Sequence, residues 1–129
     1  MKNETMLWLK YADENLKSAE LLLEEALFNP CLQNAQQAAE KYLKSVLIEK
    51  SITLFKTHSI NELINKIKSL GIQISIKAED CDLLDSIYLP SKYPLGSVLP
   101  QYEPDREICL QCLDIVKRIK ASTKKVFIT

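Results

Sequence analysis

The residue best suited to chemistry is His58, the one histidine in the chain. An imidazole exchanges a proton near neutral pH and binds phosphate when it is charged, so His58 is a candidate for proton transfer or anion binding. It stands between Thr57 and Ser59, directly before a predicted helix. A histidine in that position often fixes the start of the helix through a backbone hydrogen bond, and the sequence favours this structural role.

A second group with possible chemistry is Lys92-Tyr93-Pro94. An aromatic ring can stack on a base while a neighbouring ammonium meets phosphate, as in single-strand and nucleotide recognition. The alternative is that Tyr93 closes the protein core and keeps its hydroxyl at the rim. The tripeptide lies in a proline-rich stretch from Pro90 to Pro104, which predicts a long non-helical loop of the kind that often carries a site.

Glu40 and Lys44 are four residues apart on a predicted helix. This spacing and order favour an ion pair, which on a protein surface contributes only about 0.3–0.5 kcal/mol. The sequence therefore predicts a surface pair here.

Four cysteines occur at Cys31, Cys81, Cys109 and Cys112, in a chain whose start shows no secretory signal. We therefore expect reduced thiols rather than disulfides. Cys109 and Cys112 have the spacing of metal ligands, but they lie within a helical pattern, and structural zinc sites usually present two close pairs. The sequence favours buried small apolar side chains and predicts no metal and no cofactor.

Length and charge limit the possible functions. The 129 residues fit one domain, 1–129, and the 17 basic and 17 acidic residues cancel. Because no net field attracts nucleic acid or membrane, a polyanion site must be local. The chain shows no apolar run long enough for a signal or a membrane span, so we expect a cytoplasmic protein.

Apolar residues recur at helical spacing in five segments. The first begins with Leu9 and Ala12 and is predicted to end near Asn29-Pro30, where Asn29 would cap a second, central helix with Pro30 in its first position. Ser59 and Glu62 match a capping box for the third helix, and Gly71 is predicted to end it. An extended connector, residues 72–76, leads to a short fourth helix, and the last begins at about Pro104.

The end of the last helix is basic. Cations favour a helix C-terminus, which accounts for most of this cluster, and a phosphate-binding tail is the alternative. Its members are Lys117, Arg118, Lys120, Lys124 and Lys125.

Three blocks together resemble the HEPN family, named for nucleotide-binding domains of higher eukaryotes and prokaryotes. Residues 8–23 are similar to the family's opening tryptophan and A-x-x-x-L-x-x-A helix. Residues 36–44 (QQAAEKYLK) with 57–63 (THSINEL) resemble its Q-Q-A-x-E-K-x-L-K … T-H-x-L-x-x-L pattern, the most specific match. Residues 88–94 (YLPSKYP) resemble its Y-x-x-x-R-Y-P loop, with Lys92 in place of the arginine.

The resemblance implies an all-α, up-and-down helical bundle of about five helices, similar to nucleotidyltransferase substrate-binding domains. It also implies binding of a nucleotide or RNA, frequent homodimerisation and, in bacteria and archaea, a minimal nucleotidyltransferase as partner in a toxin–antitoxin-like pair. It places Lys44 in a cleft beside the proline-rich loop, where its charge would suit a phosphate. The ligand-binding residues expected are Lys44, Lys92, Tyr93, His58 and Arg106.

Catalytic members of the family resemble one another in an R-x(4–6)-H motif, which this chain lacks. The positions downstream of Arg106 hold Gln111 and Cys112. Glutamine cannot exchange a proton near neutral pH, so the general acid–base step has no candidate there, and no catalytic residue is assigned. Two alternatives stay open, a ribonuclease that uses Arg106 with His58 or Tyr102, and a purely structural dimerisation module.

Overall fold

The structure, a computed structural model, describes residues 1–92 and 103–128, with side chains described up to Ile87 and from Glu103 onward. Within these ranges the chain forms five helices and no strand, which confirms the predicted all-α class. They are α1 (Asn3–Glu24), α2 (Phe28–Glu49), α3 (Ile60–Ser69), α4 (Ala78–Lys92) and α5 (Arg106–Ile128). None of them, within the described residues, is long and apolar enough to cross a membrane.

Helices α1 and α2 form an antiparallel hairpin, with small residues where the two helices meet. Ala12 and Ala19 of α1 and Ala35 of α2 are completely buried, and alanines at a helix contact let the two backbones approach closely. At the open end of the hairpin the backbone N–H of Lys2 donates to Glu49 Oε1 over 3.1 Å. Towards the turn, Asn15 Nδ2 donates to Asn34 Oδ1 over 3.0 Å.

The prediction for the turn between these helices was wrong. α1 ends at Glu24 and α2 begins at Phe28, with Leu27 as its N-cap, so Pro30 occupies the third helical position instead of the first. Proline is tolerated there because none of the first four N–H groups of a helix has an intrahelical partner. The reversal is completed at Ala26, whose φ is 57°.

Helix α2 is the centre of the bundle, as predicted, and it packs against each of the other four helices. Its large apolar side chains are fully enclosed, and each contributes about 1.5–3 kcal/mol by leaving water. The largest are Leu32, Tyr42, Leu43 and Leu47.

The start of α3 follows the predicted capping box in part, since Ser59 Oγ accepts from the Glu62 N–H over 3.2 Å. Asp85 of α4 adds a second cap, because its carboxylate accepts from the backbone N–H of Ile60 over 2.6 Å. Gly71, with φ of 80°, follows the end of α3 as predicted. The connector after it has no regular secondary structure and contains a tight turn, in which the Ile76 N–H donates to the Ile74 carbonyl over 2.9 Å. Ile74, which is 4 % exposed, holds it against the bundle.

The predicted non-helical stretch from Pro90 was wrong at its start, because α4 continues to Lys92. A proline inside a helix removes one hydrogen bond and typically costs about 3 kcal/mol, which the sequence argument took as a stop. Tertiary packing offsets this cost, since Leu84 and Ile87 anchor α4 in the core. The rest of the loop, residues 93–102, lies outside the described residues.

Helix α5 begins at Arg106, two residues later than predicted. The reason is Asp105, whose Oδ1 accepts from the Ile108 N–H over 2.9 Å, as an N-cap side chain does.

Candidate functional site

Glu40, on the central helix α2, connects two of the five predicted site residues. Its Oε2 accepts from Lys44 Nζ over 3.1 Å, and its Oε1 lies 3.0 Å from His58 Nδ1. The pair predicted on the surface is instead largely enclosed, with the side chains of Lys44 and Glu40 only 12 % and 11 % exposed. The spacing correctly predicted that Glu40 and Lys44 pair. It carries no information on which other parts of the chain cover this side of α2.

Lys44 also lies beside an aromatic ring. Its Nζ is 5.9 Å from the centroid of Trp8 on α1, a distance at which a cation is attracted to the ring face. Trp8, Lys44, Glu40 and His58 therefore form one contact chain that joins α1, α2 and the segment before α3. We call these four residues the His58 cluster.

His58 is the solvent-facing member of the cluster, with a side chain that is 50 % exposed. Its backbone carbonyl accepts from Nε2 of the buried Gln36 over 3.0 Å, so the Gln36 side chain holds the main chain at this point. The ring of His58 faces the Glu40 carboxylate, and its predicted role in fixing the start of α3 stays a prediction. A carboxylate only accepts hydrogen bonds, so the Nδ1 atom that faces Glu40 must carry a proton. In the neutral ring Nε2 is then the nitrogen without a proton. When His58 is protonated, Nε2–H becomes a charged donor.

The start of α3, next to His58, is already occupied by an anion. The Asp85 carboxylate accepts from the N–H groups of Ile60 and Asn61 over 2.6 and 3.2 Å, and from Ser59 Oγ over 3.1 Å. The helix N-terminus, which often binds phosphate, is thereby satisfied within the protein. An anion at His58 would meet side chains and not the α3 amides.

Arg106 lies at the other end of α2. Its guanidinium carbon is 5.4 Å from the centroid of the Phe28 ring, and its Nη1 donates to the Leu23 carbonyl over 3.5 Å. Phe28 and Glu40 are twelve residues apart on α2, which corresponds to about 18 Å along the helix axis. The structure thus brings Lys44 and His58 together and places Arg106 apart from them.

The two remaining predicted site residues cannot be located in the same way. The side chain of Lys92 and all of Tyr93 lie outside the described residues, as does Tyr102. The predicted contact between the proline-rich loop and the end of α2 therefore stays a prediction.

The four cysteines are free and buried, as the sequence predicted. Burial raises the pKa of Cys109 and that of Cys112 to about 12, so both remain neutral thiols. Cys109 Sγ donates to the Phe28 carbonyl over 3.5 Å and contacts Cys31. Because the thiolate is the form that binds metal or attacks an electrophile, these side chains act as small apolar groups in the core.

The basic end of α5 is partly neutralised. Arg118 lies 3.0 Å from both Asp80 and Asp114, and Lys120 Nζ lies 3.0 Å from Asp13 Oδ1. This favours the structural interpretation of the cluster over a phosphate-binding tail.

A pocket that the sequence did not indicate lies beside Trp8. It has a volume of about 280 Å³ and is lined by Glu4, Leu7, Trp8, Tyr11 and Lys41. We call it the Trp8 pocket. The signal that could have found it is the pair Leu7 and Tyr11, four residues apart and off the buried stripe of α1, exposed to 46 % and 45 %.

The model of the HEPN domain family matches residues 5–126. The chain belongs to the HEPN family. The predicted resemblance and the helical bundle are therefore confirmed, although the family alone assigns no ligand to this HEPN protein.

Solved structures with the same fold include TT1696 from Thermus thermophilus, with 26 % identity, a TM-score of 0.77, and coverage of 96 % of this chain and 98 % of that one. The archaeal HEPN homologue ST0689 has 24 % identity and a TM-score of 0.72 over 98 % of both chains. The HEPN domain protein tm0613 from Thermotoga maritima has 19 % identity and a TM-score of 0.70 over 93 % and 96 %. Among curated proteins, none matches this sequence.

Proposed function

We propose that this HEPN protein is a non-catalytic module that binds a nucleotide or RNA and works with a minimal nucleotidyltransferase in a toxin–antitoxin-like pair. The observation that carries the proposal is the His58 cluster. It holds a half-exposed imidazole in one orientation, beside a lysine and a tryptophan. A protonated ring in that setting suits a phosphate oxygen.

Overall charge supports a local site of this kind. The chain has no net charge, so binding of a polyanion must come from a fixed arrangement of donors instead of a general field. Lys92, Tyr93 and Arg106 remain proposed ligand contacts, with Tyr93 as a stacking ring and the two cations as phosphate partners.

The non-catalytic assignment is supported by the positions that would carry the missing histidine. Gln111 is exposed but has no proton to exchange near neutral pH. Cys112 is completely buried, and its pKa is raised to about 12, so it cannot act as a base either. Arg106 lies against Phe28 at the start of α2, whereas His58 lies against Glu40, twelve residues further along that helix. This separation argues against the alternative ribonuclease that pairs them.

The test is thermal unfolding with ATP, GTP and a short single-stranded RNA. A ligand that binds the native state at 100 times its Kd stabilises it by about 2.7 kcal/mol, so a clear rise in Tm is expected. The rise should shrink in His58→Gln and in Lys92→Ala, and persist in the distant variant Lys66→Gln. RNA cleavage by the purified protein that is abolished in Arg106→Ala would contradict the non-catalytic proposal.

The partner is tested by purification of the complete chain from its own host and identification of co-purifying proteins. A nucleotidyltransferase in a defined ratio is the expected result. If no nucleotidyltransferase co-purifies while a nucleotide still raises the Tm of the protein, the proposed partner is wrong. The proposed binding role would then stand without it.

A structural dimerisation module is the second candidate, because one specific surface favours it. Met6, Leu7 and Tyr11 expose apolar side chains near the start of α1. Exposed apolar patches mark interaction surfaces, so homodimerisation is also part of the proposal. A concentration-dependent dimer that is disrupted by Leu7→Asp, together with no response to any nucleotide, would favour this candidate.

A further inference from the structure

The Trp8 pocket has the features of a base-binding subsite. Resting on the nucleotide- or RNA-binding role proposed above, we propose that an unpaired nucleobase stacks in this pocket between Trp8 and Tyr11, with its phosphate at Lys41. None of Trp8, Tyr11 and Lys41 was among the site residues that the sequence indicated.

The walls of the pocket suit a flat ligand. Trp8 and Tyr11 supply two aromatic rings on neighbouring turns of α1, and Leu7 supplies an aliphatic edge. Leu7 and Tyr11 leave almost half of their surface in water, whereas Ala12, Leu16 and Ala19 on the core-facing side of α1 are buried. The faces of a base are apolar and its edges polar, so stacking covers these rings without demanding many polar partners from the protein.

Lys41 supplies the charge that a phosphate requires. It is partly buried, and its Nζ donates to the neutral Asn15 Oδ1 over 2.5 Å. No carboxylate in the described part of the chain lies within ion-pair distance of it, whereas Lys44 is paired with Glu40 and Lys120 with Asp13. A phosphate placed there would pair with a charge that the protein itself leaves unbalanced.

The orientation of the ligand follows from the two ends of the pocket. Glu4 and Tyr11 are seven residues apart, which is about 10 Å along α1, and Lys41 contacts the Asn15 side. A phosphate is repelled by the Glu4 carboxylate and attracted by Lys41, so it lies at the Asn15 end. Glu4 is left beside the edge of the base, where a carboxylate accepts from exocyclic N–H groups.

The Trp8 pocket and the His58 cluster share Trp8, since Lys44 lies over its ring and Glu40 joins Lys44 to His58. A short single strand can therefore place one base in the pocket and a neighbouring phosphate near His58. This predicts tighter binding of a dinucleotide or oligonucleotide than of a mononucleotide.

The experiment uses Trp8 as the probe, because it is the one tryptophan in the chain. Its fluorescence is titrated with AMP, GMP and a single-stranded RNA tetramer, and the affinity is measured in parallel by calorimetry on the complete chain. Stacking is expected to quench Trp8, and both Tyr11→Ala and Lys41→Gln are expected to weaken binding about tenfold. The matched controls, Leu110→Ala and Lys17→Gln, change an exposed apolar and an exposed basic residue elsewhere and should leave the affinity unchanged.

The outcomes separate this subsite from the general function. Binding that is lost in His58→Gln but unchanged in Tyr11→Ala and Lys41→Gln would overturn the subsite and leave the proposed function in place. No binding of any of the three ligands to the wild-type chain would overturn both. If Leu7→Asp converts a dimer to a monomer while no ligand quenches Trp8, the pocket is an interface between two copies and the base-binding proposal is wrong.

Discussion

At the scale of single residues, Glu40 is the group on which the candidate site depends. It is buried, and it accepts from Lys44 over 3.1 Å while it orients His58. A buried ion pair is weak evidence for stability, but removal of one partner leaves the other charge enclosed without compensation. Substitution of one partner should therefore lower the free energy of unfolding by more than the intact ion pair contributes to it.

Glu40→Gln is expected to lower the free energy of unfolding by about 3 kcal/mol, because it leaves the Lys44 ammonium largely enclosed without a counter-charge. Urea unfolding measures this. The double variant Glu40→Gln/Lys44→Met should recover most of the loss, since it removes both charges and keeps the volume. Glu24→Gln, at an exposed position on α1, is the matched control. A double variant as unstable as the single one would contradict this account of Glu40.

Tyr42 gives a prediction for alkaline pH. Burial, with a hydrogen bond from its hydroxyl to Asp13, raises its pKa well above the ordinary range. A raised folded-state pKa means that the stabilisation is complete below the unfolded pKa of about 10 and is lost as pH rises above it. The wild-type chain should therefore lose stability steeply above that pH, and Tyr42→Phe should lose less, as chemical denaturation between pH 8 and 11 can measure. Equal slopes for the two proteins would contradict this.

At the scale of elements, the starts of α3 and α5 depend on carboxylates. Asp105 caps α5 from the preceding residue in the chain, a pattern that a sequence can reveal. Asp85 caps α3 from a different helix, 25 residues away in the chain from Ile60, and this arrangement has no local signal. The short α3 therefore depends on its contact with α4.

Asp85→Ala is expected to destabilise the protein by about 1–2 kcal/mol, the usual range for loss of an N-cap side chain. Amide hydrogen exchange should show the largest loss of protection in the first turn of α3, at Ile60 and Asn61. Asp82→Ala is the control, because the hydrogen bond that Asp82 makes among the described residues goes to the Asn61 side chain and not to a backbone N–H of α3. A uniform loss of protection across all helices would contradict a local capping role.

At the scale of the whole molecule, the four thiols report on the integrity of the core. All are buried, and desolvation raises the pKa of each. Because their pKa values are raised, the thiols stay neutral at pH 8, and the neutral thiol is a poor nucleophile. Burial also keeps an alkylating reagent away from them. In the native protein they should remain unmodified by iodoacetamide at pH 8, and all four should react in guanidinium. Rapid modification of Cys109 in the folded protein would mean that the contact between α2 and α5 opens readily.

The sequence by itself determined the helices whose signals are local. The periodic apolar stripes, the Ser59 cap and the stop at Gly71 each depend on residues within a few positions of one another, and all were confirmed. The helix ends near Pro30 and Pro90 were predicted wrongly, because each proline was taken to mark a helix boundary. Pro30 lies within the first turn of α2, where it removes no hydrogen bond, and α4 continues past Pro90 because it packs against the core.

Only the tertiary structure decided what surrounds each candidate side chain. The spacing of Glu40 and Lys44 predicted their pairing, whereas the approach of Trp8 and His58 from other segments decided that the pair is enclosed. The same holds for Lys41 and Tyr11, which share a pocket because α1 and α2 run antiparallel. The physical reason is that helical periodicity fixes which residues share a face, while burial and electrostatic partners depend on contacts between residues far apart in the chain.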